Sequence, residues 1–345
     1  MPRPKKISMQ TIADKLGISR NAVSLALSNK KGIGEELRQR VIQTAQEVGY
    51  LTEAGQSSVS APILVLVPDR VMSHEDNEHF LFYHDLIWGL DRRLQEEGYS
   101  AVIVRISMAQ EQDQILPELA LHIDYQGIIA FGILERDYIA KVQQVLPKPM
   151  LLFDSYYREI ESSAVTSANV EGACAAVNSL IEAGHQRIGC IAPVNLTTSH
   201  EERWFGYTKA MLQHKLQPDF SLCLLESEGF VRTQEELSSY CDRFGEGGYP
   251  TAVFCGNDRI ALLLMKELEK RGLQVPRDVS VIGFDGLAMS AEANPPLTTM
   301  AVNKKALCTA AVEVLGHMLR QPDGPAVRCS AAPVLRMGGS VRHLS

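Results

Sequence analysis

Two kinds of hydrophobic pattern divide this 345-residue chain. From residue 62 onward, short runs that are apolar at nearly every position alternate with longer stretches whose apolar residues recur every three or four positions. ILVLVPD (63–69), SAVIVRI (100–106), YQGIIAFG (125–132), PMLLFD (149–154), RIGCIAP (187–193), TAVFCG (251–256) and VSVIGFD (279–285) have the length and composition of buried strands. HDLIWGLDRRLQEEGY (84–99), EGACAAVNSLIEAGH (171–185) and DRIALLLMKELEKRG (258–272) have helical spacing. Strands that are apolar on both faces, alternating with helices, predict parallel sheets covered on both sides. Two successive sets, near 62–162 and 163–290, predict two α/β lobes. Ligands of such folds sit beyond the carboxyl ends of the strands, so the polar residues that end each run are the candidates for chemistry.

The first fifty residues follow a different pattern. In TIADKLGISRNAVSLALS (11–28), Ile12, Leu16, Val23 and Leu27 fall at helical spacings on either side of Gly17. Gly17 permits the positive φ of a tight helix–helix turn, and Ser19 stands where a helix N-cap belongs. A third amphipathic segment, EELRQRVIQTAQEVGY (35–50), opens with two acids, places Val41, Ala45 and Val48 on one face, and stops at Gly49. Three short helices with a glycine turn between the first two predict a helix-turn-helix unit. Its second helix would enter the major groove by its N-terminal residues Arg20, Asn21 and Ser24. Arginine pairs with guanine and asparagine with adenine, each bidentately.

Charge sharpens that division. Residues 1–50 hold nine Lys or Arg against four acids, a balance of +5, while the whole chain carries −7, which leaves −12 on the rest. A basic head on an acidic body points to a polyanion met by the head alone. No apolar run reaches the length of a membrane span and the basic N-terminus lacks the apolar core of a signal peptide, so a cytoplasmic protein is expected. The seven cysteines are widely spaced, with no Cys-x-x-Cys pair, which fits reduced, buried thiols better than disulfides or zinc. His74, His79 and His84 are five apart, a spacing that does not share a helix face, so no metal is expected there. No cofactor motif occurs, and the chain lacks a P-loop and a Gly-x-Ser-x-Gly elbow; an enzyme is not expected.

Residues 11–50 resemble the DNA-binding head of the lactose-repressor (LacI) family of bacterial transcription regulators, whose usual form is close to T-I-x-D-V-A-x-x-A-G-V-S-x-x-T-V-S-R-V-L-N. The resemblance implies contact with a roughly palindromic double-stranded operator through Thr11, Ser19, Arg20, Asn21, Ser24, Leu25 and Asn29. Leu25 stands where the family usually has Arg. It either extends the core of the head or touches a thymine methyl, and the operator is then expected to depart from the family's common pattern. The family's hinge, P-N-x-x-A-x-x-L, is replaced by LTEAGQSSVSA (51–61), a short polar tether without an evident apolar wedge.

The resemblance continues through the body, which is similar to the periplasmic sugar-binding fold. It is carried by RWFGYTKAM (203–211), LIEAGHQRIGCI (180–191), TAVFCGNDRIALLLMKELEKRGLQVPRDVSVIGFDG (251–286) and NPPLTTM (294–300). It implies that residues 291–325 return to the first lobe and 326–345 to the second. It also implies that Phe82, Tyr83, Asp154, Arg203, Phe230, Asn257 and Asp285 face a small-molecule effector, a sugar or related metabolite. Asp258 is expected to cap the helix that follows it, and Arg203 to end a strand. Departures occur at Ala168, where the family's V-x-x-D-N reads VTSAN, and at Gly286, where a second Asp is usual. They leave open a regulator controlled by a protein partner instead. A homodimer is the expected assembly, because the C-terminal VLRMGGSVRHLS is too short and polar for a tetramerising heptad helix.

Overall fold

The computed structural model describes residues 9–27, 33–47, 61–72, 80–229, 232–245 and 248–344. The chain forms two compact units, residues 1–60 and 61–345. In the first, α1 (Met9–Leu16), α2 (Arg20–Leu27) and α3 (Glu35–Glu47) enclose a core of Ile12, Ala13, Val23, Ala26, Val41 and Ala45. Gly17 takes φ +64° at the turn, a backbone region that costs a side-chain-bearing residue. The Ser19 hydroxyl accepts from the Ala22 amide at 3.1 Å, which is the N-cap that the sequence predicts. Leu16 is partly buried against the core. Val48, the side chain of Leu27 and linker residues 51–60 lie outside the described residues.

The second unit holds two six-stranded sheets. The first contains β1 (Ile63–Pro68), β2 (Ala101–Ile106), β3 (Gly127–Phe131), β4 (Met150–Phe153), β5 (Ser163–Ser167) and, from far along the chain, β11 (Arg328–Ala331), in the order β11-β5-β4-β3-β1-β2. The second contains β6 (Ile188–Ile191), β7 (Cys223–Leu224), β8 (Ala252–Cys255), β9 (Ser280–Asp285), β10 (Thr298–Ala301) and β12 (Val334–Arg336), in the order β12-β10-β9-β8-β6-β7. All pairings are parallel except β10 with β12. The helices are α4 (Phe80–Glu96), α5 (Met108–Gln112), α6 (Glu118–His122), α7 (Arg136–Val145), α8 (Asn169–Glu182), α9 (Thr198–Gln213), α10 (Thr233–Asp242), α11 (Asp258–Lys270), α12 (Ala288–Glu292) and α13 (Lys304–Arg320).

The lobe boundaries differ from the sequence expectation. β5 joins the first sheet, so that lobe runs past residue 162. β10 joins the second sheet, so residues 291–301 do not return to the first lobe, whereas α13 does, packing on α4, β4 and β5. The tail is divided, β11 to the first sheet and β12 to the second. The physical reason is that these strands are short or polar: Ser163, Thr166 and Ser167 in β5 and Thr298 and Thr299 in β10 hide a buried strand from a hydrophobicity pattern. The chain therefore crosses between lobes near 168, 302–303 and 332–333. Gly172 lies against the third crossing, where a Cβ would stand 2.6 Å from the ring of Pro333.

One cluster of buried side chains runs through both lobes. It joins Val65, Phe131 and Val165 of the first sheet to Phe254 and Phe284 of the second through α8 and α13. Burying each such large apolar side chain contributes roughly 1.5–3 kcal/mol. Six cysteines are buried, Cys329 is half-buried, and all seven are free thiols. No described helix is long and apolar enough to cross a membrane.

Within the second lobe, Asp258 is fully buried and its role differs from the expected cap. Asn257 is the N-cap of α11, its Oδ1 accepting from the Ile260 amide at 2.8 Å. Asp258 instead turns inward and accepts from the Leu287 amide at 2.8 Å and from the hydroxyls of Ser290 and Thr299 at 2.7 and 2.5 Å. It thereby ties α11 to the segment after β9 and to β10. Gly283 makes room for it, since a Cβ there would lie 2.3 Å from Asp258 Oδ1. Gly283→Ala is expected to lower stability by about 1–3 kcal/mol through overpacking, read as a fall in the urea midpoint at unchanged slope; an unchanged midpoint would remove this account of the glycine.

Candidate functional site

In the head, the second helix begins at Arg20, which is exposed, as are Thr11 and Ser19. Arg20 thus stands at the solvent-facing N-terminus of a capped helix, the place from which a recognition helix reads base edges. Asn21, Ser24 and Leu25 lie on α2, but their side chains, and the whole of Asn29, fall outside the described residues.

In the body, five of the seven sequence-predicted residues, Tyr83, Asp154, Arg203, Asn257 and Asp285, gather near strand ends of the two lobes. Arg203 is 6% exposed and lies on α9, not at a strand end as expected. Thr197 caps that helix by accepting from the His200 amide at 3.0 Å, which fixes the first turn, one turn before Arg203. The guanidinium is met on several sides. Nε donates to Asn169 Oδ1 at 2.9 Å, one Nη to the Gly256 carbonyl at 2.6 Å, and the other pairs with Asp285 Oδ1 at 3.1 Å. Its carbon lies 3.8 Å from the centroid of the Phe284 ring, a cation–π contact in a desolvated setting.

Asp285 ends β9 with φ +111°, and Asp154 follows β4 with φ +65°. Left-handed φ at a non-glycine residue is strained backbone of the kind that gathers at ligand sites. One such aspartate thus comes from each lobe. Burial pushes the Asp154 carboxyl up to about 7, with Arg203 pulling down and Asp285 pushing up. Burial raises Asp285 to about 6, against the pull of Arg203 and, less strongly, Lys304. Tyr83 of α4 belongs to the same group: burial first, then Asp154 and Asp285, raise its hydroxyl far above the ordinary range. Tyr83 and Asp154 each keep partial solvent contact, as the walls of a cleft do. The nearby Arg70 is already engaged, with Glu111 at 2.5 Å and with the Ile133 carbonyl.

Tyr83, Asp154, Arg203 and Asp285 therefore come together. Asn257 is adjacent, one residue beyond the carbonyl that Arg203 binds, with its Nδ2 3.3 Å from His200 Nε2. Phe82 does not line the cleft: it is 4% exposed, packed in the main core, with Lys304 Nζ 4.8 Å above its ring. The α4 helix presents adjacent residues to different faces, so only one of the two aromatics can point to the gap. Phe230 lies outside the described residues. Sequence reasoning missed Asn169, Glu202 and Phe284 as supports of Arg203. The signal for Asn169 was present in VTSAN, where it keeps its place beside the altered Ala168. Gly286 also gains a reason: it has φ +72°, and a Cβ there would stand 2.6 Å from that of Ala301, so no second aspartate fits. Among the described residues no three His, Cys, Asp or Glu side chains are grouped to hold a metal.

Comparison with known proteins places both units. Residues 8–53 match the profile described as bacterial regulatory proteins, lacI family, and residues 177–341 that of the periplasmic binding protein-like domain. The HTH-type transcriptional repressor CytR of Escherichia coli (strain K12) is 32% identical over 300 residues, covering 85% of this chain and 84% of that one. Among solved structures, the lac repressor dimer bound to operator and the anti-inducer ONPF has a TM-score of 0.69 at 21% identity, covering 98% of this chain and all of that one. A LacI family regulator from Enterococcus faecium with bound ribose has a TM-score of 0.65 at 23% identity, covering 82% of this chain and all of that one. With a helix-turn-helix head, a two-lobed periplasmic-binding-protein-like body and CytR as a relative along most of its length, the chain belongs to the LacI family of DNA-binding transcriptional regulators.

Proposed function

We propose that the chain acts as a homodimeric repressor of a roughly palindromic operator, and that a small polyhydroxylated ligand, a sugar or nucleoside, held between its lobes sets its affinity for DNA. The observation that carries the ligand is the convergence of Asp154 from one lobe and Asp285 with Arg203 from the other. Carboxylates accept two hydrogen bonds from vicinal hydroxyls, and Arg203 has donors left over after its three contacts. Two carboxylates face one guanidinium, that of Arg203, because Arg70 is neutralised by Glu111 and Lys304 by Asp85. The site so described favours a neutral ligand over a phosphorylated one.

The test is a thermal-shift and calorimetric panel of neutral sugars and nucleosides beside their phosphate esters. At least one neutral compound is expected to bind, with Arg203→Ala and Asp154→Asn each weakening it by tenfold or more. Preference for the esters, or binding indifferent to both substitutions, would refute the assignment. Breaking a buried ion pair typically costs about 3–5 kcal/mol, so Arg203→Ala is also expected to lower the thermal midpoint, whereas Asp154→Asn is not.

The same carboxyls set a pH dependence. Their pKa values are raised to about 7 and about 6, and a ligand hydroxyl donating to either oxygen favours the ionised form. Binding then releases protons, and affinity rises from pH 5.5 to pH 8 and levels off above it. In Asp154→Asn the rise shifts to the lower range of Asp285. Affinity that falls with pH would contradict this placement.

For the head, Arg20→Glu is expected to weaken binding to an operator selected from random duplexes by about 100-fold or more at moderate salt, with a shallower salt dependence. Leu25→Arg is expected to change the sequence that such a selection returns. Retention of operator by Arg20→Glu, measured by fluorescence anisotropy, would overturn the assignment of α2 as the reading helix.

A further inference from the structure

The supports of Arg203 do not end within its own lobe. Asn169, whose Oδ1 accepts from Arg203, uses its amide to donate to Glu202 Oε2 at 2.9 Å. The other oxygen of Glu202 accepts from the hydroxyl of Tyr156 at 2.9 Å. Tyr156 lies in the loop between β4 and β5, in the first lobe, and its ring belongs to that lobe's core cluster with Ile160 and Leu152. Glu202 lies on α9 in the second lobe. Asn169 is the first residue of α8, directly after the chain's first crossing between the lobes.

A continuous line of hydrogen bonds thus runs from Tyr156 through Glu202 and Asn169 to the cleft guanidinium. Only the Tyr156–Glu202 bond in that line spans the two lobes. Arg328 of β11 stacks on the Tyr156 ring, 4.3 Å from its centroid, and the Arg158 guanidinium also bears on the Tyr156 hydroxyl. Beside it, Arg158 and Glu201 form a second interlobe pair at 2.7 Å, but Arg158 is 54% exposed, and exposed pairs contribute only about 0–1 kcal/mol. The Tyr156 bond is more sheltered: the tyrosine is 9% exposed and Glu202 is half-buried, and a hydrogen bond to a charged acceptor is stronger than one between neutral groups.

We infer that Tyr156, Glu202 and Asn169 are positioning residues that make the ligand-ready orientation of Arg203 conditional on contact between the lobes. While Tyr156 holds Glu202, the carboxylate is fixed for Asn169, and Asn169 presents its oxygen to Arg203. When the lobes part, Glu202 loses its fixed partner and the end of α8 loses its brace. This inference takes its meaning from the ligand reading proposed above, but the relay itself needs no ligand, so it can be tested without one.

The experiment is amide hydrogen exchange on the full chain, ligand-free, for Tyr156→Phe, Glu202→Ala, Glu202→Gln and the double variant Tyr156→Phe/Glu202→Ala. Tyr156→Phe removes one oxygen and leaves the ring in the core. It is expected to raise exchange about fivefold or more in residues 198–206 and 169–175, on the far side of the crossing. Glu202→Ala is expected to do the same, and the double variant no more than the larger single effect, because both cut one chain of bonds. Glu202→Gln should stay near the parent, since its amide can donate to Tyr156 while its oxygen accepts from Asn169. Unchanged exchange in the second lobe of Tyr156→Phe, or additive effects in the double variant, would overturn the relay. A uniform rise that includes residues 252–255 would also overturn it, by making Tyr156 an ordinary packing residue. A failed ligand panel would leave these outcomes untouched, so the two readings fall separately.

Discussion

A guanidinium taken out of water must be met by acceptors in its own plane, and the organisation of the cleft follows from meeting that demand at Arg203. Its three hydrogen-bonding partners come from different parts of the chain: Asn169 at the start of α8, Gly256 after β8 and Asp285 at the end of β9. The Phe284 ring covers the flat face that hydrogen bonds cannot serve. A buried ion pair of this kind adds little net stability compared with apolar packing, but removing one member leaves an uncompensated charge. The arrangement therefore acts less as glue than as a register, since each of the three segments has to end where the guanidinium requires. The strained φ of Asp285 is one cost of that register.

The competition between burial and pairing also decides the character of the cleft. Asp285 is paired with Arg203 yet its carboxyl is raised to about 6, which means that loss of water outweighs the attraction of the partner. Asp154 has the same attraction at longer range and rises to about 7. Carboxyls poised in this way are charged or neutral at little cost, so a neutral hydrogen-bonding molecule can select the ionised form. A phosphate would have to overcome their charge before gaining anything from Arg203. The selectivity proposed for the site thus follows from the excess of acids, and it does not depend on any particular ligand shape.

Much of this was legible in the sequence, for reasons that differ from one element to the next. Strands β1, β3, β4, β8 and β9 are buried along their length, and such strands write themselves as apolar runs. β5 and β10 are just as buried but carry serine and threonine. Several of their hydroxyls are paired inside the protein, as when those of Ser163 and Thr298 accept from the Val327 and Gly338 amides, pairings no local pattern can announce. This is why the lobe boundaries came out shifted. The grouping of Tyr83, Asp154, Arg203 and Asp285 follows the family pattern, whereas Phe82 turns into the core because neighbouring helix residues face different ways. The exchange of roles between Asn257 and Asp258 has a similar origin: both can cap a helix, and the three donors that draw Asp258 inward come from residues 29 to 41 positions away.

The three crossings explain why a contact within the cleft has consequences beyond it. A lobe that rotates must bend the chain at residues near 168, 302–303 and 332–333, since nothing else connects the two sheets covalently. Asn169 and Gly172 stand at these crossings, one holding Arg203 and the other packed against Pro333. The residue that holds Arg203 and the residue packed against a crossing are therefore neighbours on the first turn of one helix. Coupling between such sites requires an element with two arrangements that both sites bias. The first turn of α8 meets that requirement if Tyr156 reaches Glu202 in one arrangement and leaves it in the other, which makes a hydroxyl of the first lobe the sensor for the setting of Arg203 in the second.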